Sequence, residues 1–346
     1  MSGVEVFLDE LPGETRGIIR RDGRFTQILI DREDDEPRHR LGARSVGRVA
    51  EVPQGLKAAF VDLGAGGPLA FLPLKGTDRP AVGQKVEVEV TAEPRERKGP
   101  MVRMTGPGQG EPRLLTPGPT VQETLAVLAP GAVPVTGIEA IQASWDAEEE
   151  AGFPGELFPD TGLDLRVERT RAMIAVDLDL SPGAAGSKAR ERANRQGLHQ
   201  AARITGLKRW GGLVAIDLIG VGHDGEAMTA AAKAGFGAAF GKDPDISYGP
   251  VNRFGVLQLA LPWRRTPIEE LFRGEDGKRR AAHRAQDVVR CLKHAMLSDT
   301  ATPRFVARCA PDEAALAGPL AAQLGPRAGI LADPAVAPGA FTWDEG

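Results

Sequence analysis

Short apolar runs separated by turn residues set the rhythm of this chain, and their periods predict its elements. Val4 to Leu8 and Phe25 to Ile30 read as half-buried strands, with the turn-rich LPGETRG and RRDGR between and beside them. After the acidic turn DREDDEP the pattern changes. From about Leu41 to Met104 the segments GRVAEV, LKAAFVDLG, PLAFLPLKG and KVEVEVTAE follow one another, the rhythm of a small all-β barrel inserted in the chain. Gly47, Gly55, Gly64 and Gly83 allow its bends. Gly106 to Pro134 is rich in glycine and proline and reads as connecting structure, with one strand at Arg113 to Leu115.

Beyond that connector, helical and extended patterns alternate. Gly137 to Ala151 is acidic and helical in character, and LDLRVERT reads as a strand. The strand-like RTRAMIAVDLD and GGLVAIDLIG are separated by the flexible loop SPGAAG and an amphipathic helix from Lys188 to Trp210. A small-residue helix from Gly225 to Ala239 and a strand from Phe254 to Leu261 follow, so residues 162–265 predict an α/β domain. The helix Ala281 to Met296 places Val288, Val289, Leu292 and Met296 on one face. A small terminal unit holds the strand Arg304 to Cys309, the helix Asp312 to Leu324 and the piece Ala328 to Leu331, with VAPGAFTWDEG as a mobile tail.

Composition adds bounds. A chain of 346 residues is long enough for two or three domains with proper cores. The net charge of −4 argues against a protein that coats nucleic acid along its whole surface and leaves room for a local basic patch. One such patch is legible: Lys188, Arg190, Arg192, Arg195, Arg203, Lys208 and Arg209 fall within one helical stretch against a single acid, Glu191. A solvated helix face fits the same residues. Cys291 and Cys309 have neither CxxC spacing nor a preceding signal peptide, so no disulfide scaffold or zinc knuckle is expected, and the expected compartment is the cytoplasm. His294, alone on its helix, fits a surface or core residue better than a ligand. With no run of eighteen apolar residues, membrane insertion is not expected.

The candidate chemistry rests on two aspartates. Asp177 and Asp217 each stand near the end of an apolar, partly β-branched run, where a strand presents a carboxylate at a sheet edge. The intervening chain suffices for a loop, a helix and a return strand, so the two can converge on one sheet. Paired carboxylates suit Mg²⁺, which takes oxygen ligands and serves phosphodiester hydrolysis. The same residues also fit aspartates that simply end strands in turns. Phe60 and Phe71 are candidate platforms for unpaired bases, although phenylalanine on a strand is ordinarily core.

Taken together, RTRAMIAVDLD, KRWGGLVAIDLIG and NRFGVLQL resemble, in order and spacing, the catalytic core of the ribonuclease E/G family. GRV…GLKAAFVDLG…AFLPL, which precedes them, resembles that family's S1-type RNA-binding barrel. The resemblance covers most of the chain and implies an α+β and α/β multidomain architecture. Residues 1–40 would be strands of a partial RNase H-like portion, 41–105 an inserted S1-type OB barrel and 106–161 the rest of the RNase H-like portion. Residues 162–272 would form a DNase I-like catalytic domain, and 273–346 a linker helix and small C-terminal domain. By position, Asp177 and Asp217 match the family's magnesium-binding aspartates. Asp179 falls where the family has an assisting asparagine; a third carboxylate can still orient an attacking water, with altered metal affinity and pH optimum. Phe60, Phe71, Lys98, Lys188, Arg190 and Arg253 are the implied RNA-binding residues.

Three departures mark a shortened member. The family's CPxC zinc-link is missing between Arg265 and Ala281, so a zinc-linked oligomer is not expected. The stretch from Gly106 to Gly162 is too short for a 5′-phosphate sensor. Gly220 stands where many members carry a second acid. The implied activity is that of a cytoplasmic, Mg²⁺-dependent endoribonuclease that hydrolyses single-stranded RNA to 5′-phosphate and 3′-hydroxyl ends. A non-catalytic RNA-binding protein of ribonuclease E/G ancestry is the rival, with a DNA nuclease third.

Overall fold

The computed structural model describes residues 3–76, 79–182, 186–220, 224–241, 243 and 245–343. The described residues form a mixed α/β protein with several sheets and seven α-helices. They fall into two compact units: Met1–Asp22, Ile28–Asp146 and Arg265–Gly346 make the first, and Gly23–Gln27 with Ala147–Arg264 the second.

Strands β1 (Val4–Leu11), β2 (Glu14–Arg21) and β3 (Arg24–Arg32) form a three-stranded sheet in that order. The residues LPGETRG, turn-rich by composition, are extended over most of their length. The turn is confined to Pro12 and Gly13, and Asp22 and Gly23, at φ of 50° and 77°, make the second reversal. The residues between extend because Gly17 lets a helix lie directly on the strand. A Cβ there would come within 2.6 Å of Val121.

Strands β4 (Arg44–Glu51), β5 (Ala58–Asp62), β6 (Ala70–Pro73), β7 (Lys85–Ala92) and β8 (Met101–Pro107) pair in the order β5-β6-β8-β7-β4, and β4 pairs again with β5. The pairings therefore close into a ring of five strands, with β9 (Arg113–Thr116) added beside β4. In β7 the alternation of KVEVEVTA puts Val86, Val88 and Val90 inside, against Val49, Val61, Leu72 and Val102.

Helix α1 (Val121–Leu128) lies in the stretch read as connecting structure. Its signal was legible: Thr120 and Glu123 form a capping box, with Glu123 N donating to Thr120 Oγ1 at 3.2 Å and Thr120 N to Glu123 Oε2 at 2.8 Å. Helix α2 (Ile138–Gly152) follows, near the expected limits.

The second unit is built on one six-stranded sheet. Its strands are β10 (Gly155–Phe158), β11 (Leu163–Arg169), β12 (Ile174–Leu180), β13 (Gly212–Asp217), β14 (Ser247–Tyr248) and β15 (Val256–Leu261), in the order β10-β11-β12-β13-β15-β14. Only β12 and β13 are parallel, joined by helix α3 (Ser187–Leu207). Helix α4 (Gly225–Phe240) packs with α3. Alternation in the strands sends Leu165, Val176, Leu178, Val214, Ile216 and Leu259 into a core with Leu198, Ala202, Ala232 and Phe236 of the helices. Gly197 of α3 permits the close approach, since a Cβ there would meet Leu178 at 2.7 Å. The opposite face of the sheet keeps its polar residues exposed.

The chain returns to the first unit with α5 (Ile268–Phe272), α6 (Ala281–Ser298), β16 (Phe305–Cys309), α7 (Pro311–Gln323), β17 (Ala328–Ala332) and β18 (Phe341–Trp343). The tail expected to be mobile supplies β18, which pairs antiparallel with β16 and packs Phe341 against Trp343. Residues 344–346 of that tail lie outside the described residues. His294 of α6 lies 5.1 Å, ring to ring, from Trp145.

An ionic network is buried in this unit. The Arg290 guanidinium donates to Asp9 at 2.7 Å and to Glu14 at 2.8 Å, while Arg16 and Arg32 donate to Glu14 at 2.6 and 2.8 Å. Burial alone would raise the Glu14 pKa, but the surrounding guanidiniums of Arg16, Arg290 and Arg32 outweigh it and hold the carboxyl well below its usual range. Cys291 and Cys309 are free thiols, and burial pushes Cys291 up to about 11. Among the described residues, no helix is long and apolar enough to cross a membrane.

Candidate functional site

Asp177 and Asp217 are register partners on the parallel strands β12 and β13. Parallel pairing puts the carboxyl ends of both strands at the same side of the sheet, and the two-residue period puts both side chains on the exposed face. At the carboxyl end of the pairing between these two central strands they stand over the open face, with β10 and β11 extending the sheet on one side and β15 and β14 on the other.

The same period aligns further charges. Asp179 lies two residues beyond Asp177 on the same face and is opposite Asp164 of β11, while Arg166 is opposite Asp177. Arg166 Nε stands 3.6 Å from Asp164. The Asp177 pKa is raised, first by burial and then by the negative charges of Asp217, Asp179 and Asp164. Asp164 and Arg166 were not singled out from the sequence, although the alternation in LDLRVERT carries them.

Helix α3 fixes the chain after Asp217. The buried Asn194 amide donates to Ile219 O at 3.3 Å and accepts from Ile219 N at 2.9 Å. Gly220, at φ 84°, leaves room for Arg190, whose Nη1 lies 2.8 Å from where a Cβ would sit. Where an acid was expected from the resemblance, a guanidinium therefore packs on bare backbone. Lys188, Arg190 and Arg192 are exposed, but the rest of the basic stretch is spent differently. Arg195 pairs with Glu191, and Arg203 is buried between Glu150, Glu156 and the Phe25 carbonyl. Lys208 donates to the carbonyls of Ala151 and Phe153, each at 2.8 Å, closing the end of α2. Arg209 is buried as well. The basic surface is thus narrower than the sequence suggests. Residues 183–185 of the loop SPGAAG lie outside the described residues.

On the other side of the register, Asp217 is opposite Val256 of β15, and Leu218 N donates to Gly255 O at 3.2 Å. Arg253 is exposed, with its guanidinium 4.7 Å from the Phe254 ring centre.

A second site belongs to the first unit. Phe60 of β5 and Phe71 of β6 are register partners, half-buried and outside the hydrophobic cluster of the ring, with ring centres 5.8 Å apart in an edge-on arrangement. They line a cavity of about 600 Å³ together with Leu69, Met101, Arg95, Arg97 and Lys98. The cations reach it through a tight turn between β7 and β8, in which Glu96 and Arg97 take φ of 49° and 63° and Lys98 N donates to Arg95 O at 2.7 Å. Gly99 is obligatory there, since a Cβ would fall 2.1 Å from the Leu69 carbonyl. Apolar ring faces bordered by three cations are the features that hold single-stranded nucleic acid. Arg97 also pairs with Glu275, and Lys98 with Glu96 at 3.1 Å.

A scan against protein-family models finds no match to the chain, and a search of the curated proteins finds none.

Proposed function

We propose that the chain is a Mg²⁺-dependent endoribonuclease that hydrolyses single-stranded RNA to 5′-phosphate and 3′-hydroxyl products. The observation that carries this reading is the register pair Asp177 and Asp217 on adjacent parallel strands, where burial first and the neighbouring carboxylates second raise the Asp177 pKa. All-oxygen carboxylate donors fit a hard divalent cation, and Asp177 and Asp217 would hold it. When bound, Mg²⁺ lowers the pKa of water and neutralises developing negative charge on the phosphate. The chain's own residues supply the rest. Asp179 orients the attacking water by accepting a hydrogen bond from it, and the exposed Lys188, Arg190 and Arg253 bind backbone phosphates. Phe60 and Phe71 stack on bases, with Lys98 on the adjoining phosphate.

The closed five-stranded ring supports an S1-type OB barrel, and the sheet with helices α3 and α4 supports the DNase I-like catalytic domain implied by the sequence resemblance. The three-stranded sheet with α1 is the corresponding candidate for the partial RNase H-like portion.

The deciding experiment incubates an unstructured oligoribonucleotide with wild type and Asp217→Asn, with and without Mg²⁺. Cleavage that requires both the metal and Asp217 supports the enzyme. Binding without cleavage in every arm leaves an RNA-binding protein instead.

A further inference from the structure

Phe254 is 66% exposed, an unusual position for a phenylalanine, and the backbone around it is firmly built. Asn252 Oδ1 accepts from Phe254 N at 2.9 Å and from Val256 N at 3.1 Å, Asn252 N donates to Val256 O at 2.9 Å, and Gly255 N to Asn252 O at 3.1 Å. Gly255, at φ 88°, completes a turn that leaves the ring in solvent. The Arg253 guanidinium covers part of that ring, 4.7 Å from its centre.

The location gives this pair its meaning. Val256 is the register partner of Asp217, and Phe254 lies two residues further along, at most about 7 Å of extended backbone. Gly255 is tied to Leu218, the residue after Asp217. An exposed aromatic ring beside a phosphate-cleaving centre, flanked by a guanidinium, presents a stacking face for a base and a cation for the phosphate next to it.

We propose that Phe254 is a specificity-determining residue that stacks on the base of one nucleotide flanking the scissile phosphate and so sets where an RNA strand is cut. The inference rests on the nuclease reading and adds to it a contact at the cleavage centre, separate from the aromatic pair of the five-stranded ring. Stacking strength differs from base to base, so the contact biases the cleavage position by base identity without hydrogen-bond readout.

The test uses a short single-stranded oligoribonucleotide whose cut position is mapped with the wild-type chain, and two copies with an abasic site on either side of that cut. Phe254→Ala is expected to lower kcat/KM on the intact strand about tenfold, equivalent to about 1.4 kcal/mol. The wild type is expected to lose a similar factor when one of the two flanking bases is removed, and Phe254→Ala to lose nothing further from that removal. Phe254→Trp should restore both the rate and the sensitivity. Because the ring is exposed, the melting temperature of each variant should equal that of wild type. Equal rates for wild type and Phe254→Ala, or an abasic penalty of the same size in both, would overturn the inference and leave the nuclease reading standing. Failure of the wild type itself to cleave with Mg²⁺ would overturn both.

Discussion

Asp177 and Asp217 sit at the same height on neighbouring parallel strands, and every influence that moves the Asp177 pKa moves it upward. The folded chain therefore holds a proton on Asp177 more tightly than the unfolded chain does. Stability falls as pH rises from the ordinary aspartate value of 3.8 through the raised one, and at neutral pH the ionised group works against the fold. Asp177→Asn should abolish cleavage, leave RNA affinity within a few-fold and raise the melting temperature of the metal-free protein. Millimolar Mg²⁺ should stabilise wild type and have little effect on that variant. Thermal melts with and without Mg²⁺, beside a cleavage assay, check this; full activity in Asp177→Asn refutes the site.

The aromatic pair of the five-stranded ring is half-buried and outside its hydrophobic cluster. Phe60→Ala and Phe71→Ala should each weaken binding of single-stranded RNA by about 1–3 kcal/mol while the ring stays folded. Fluorescence anisotropy gives the affinity and circular dichroism the fold. Unfolding in both variants, with no folded protein to titrate, would mean that the rings serve packing.

Glu14 accepts from three guanidiniums in a buried setting, and its pKa is lowered. Its contribution is present above the ordinary glutamate value of 4.5 and is lost as pH falls through the lowered folded value. Glu14→Gln leaves buried arginines without their anion and should cost about 3–5 kcal/mol at neutral pH. Urea denaturation from neutral to acid pH should show the difference between variant and wild type shrinking at the acid end.

Gly220 combines a φ of 84° with an arginine side chain lying on it. Gly220→Ala should cost about 1–2 kcal/mol of stability from the left-handed backbone. It should also displace Arg190, so that the slope of log affinity against log salt for RNA becomes shallower by about one unit. An unchanged slope would remove Arg190 from the phosphate contacts.

A pocket for a 5′-monophosphate needs preformed donors on a folded unit of its own. Between Gly106 and Gly162 the structure provides one short strand, two helices and the four residues of β10. Arg113, the one arginine of that stretch, donates to the carbonyls of Gln109 and Glu111. kcat/KM should therefore be nearly equal for 5′-monophosphate, 5′-triphosphate and 5′-hydroxyl RNAs of one sequence. A tenfold preference for the monophosphate, worth about 1.4 kcal/mol, would reveal a sensor.

Legibility in the sequence followed the strength of the local period. IAVDLDL and GGLVAIDLIG announced their aspartates because a two-residue alternation fixes which side chains share a face, while the register that aligns Asp177 with Asp217 depends on long-range pairing and emerges only in the fold. Strand β2 was hidden because Gly17 looks like a turn residue until Val121 and Leu125 are seen packed over it. The tail read as mobile because Phe341 and Trp343 find their neighbour on β16, more than thirty residues away. Arg203, Lys208 and Arg209 read as part of one exposed basic stretch since charge in a sequence does not reveal burial. Helix α1 was legible through its capping box and was missed for its prolines.

The buried contacts of Arg290 with Asp9 and Glu14 also impose an order of events on synthesis. Residues near the beginning of the chain wait for a partner that emerges almost three hundred residues later, whereas the unit bearing Asp177 and Asp217 draws nearly all its residues from one continuous stretch, Ala147–Arg264. The unit encoded in the interior of the chain is therefore complete first on the ribosome, and the first unit closes only after helix α6 has been made. A nascent chain arrested before Arg290 would carry a finished aspartate pair beside an unfinished first unit.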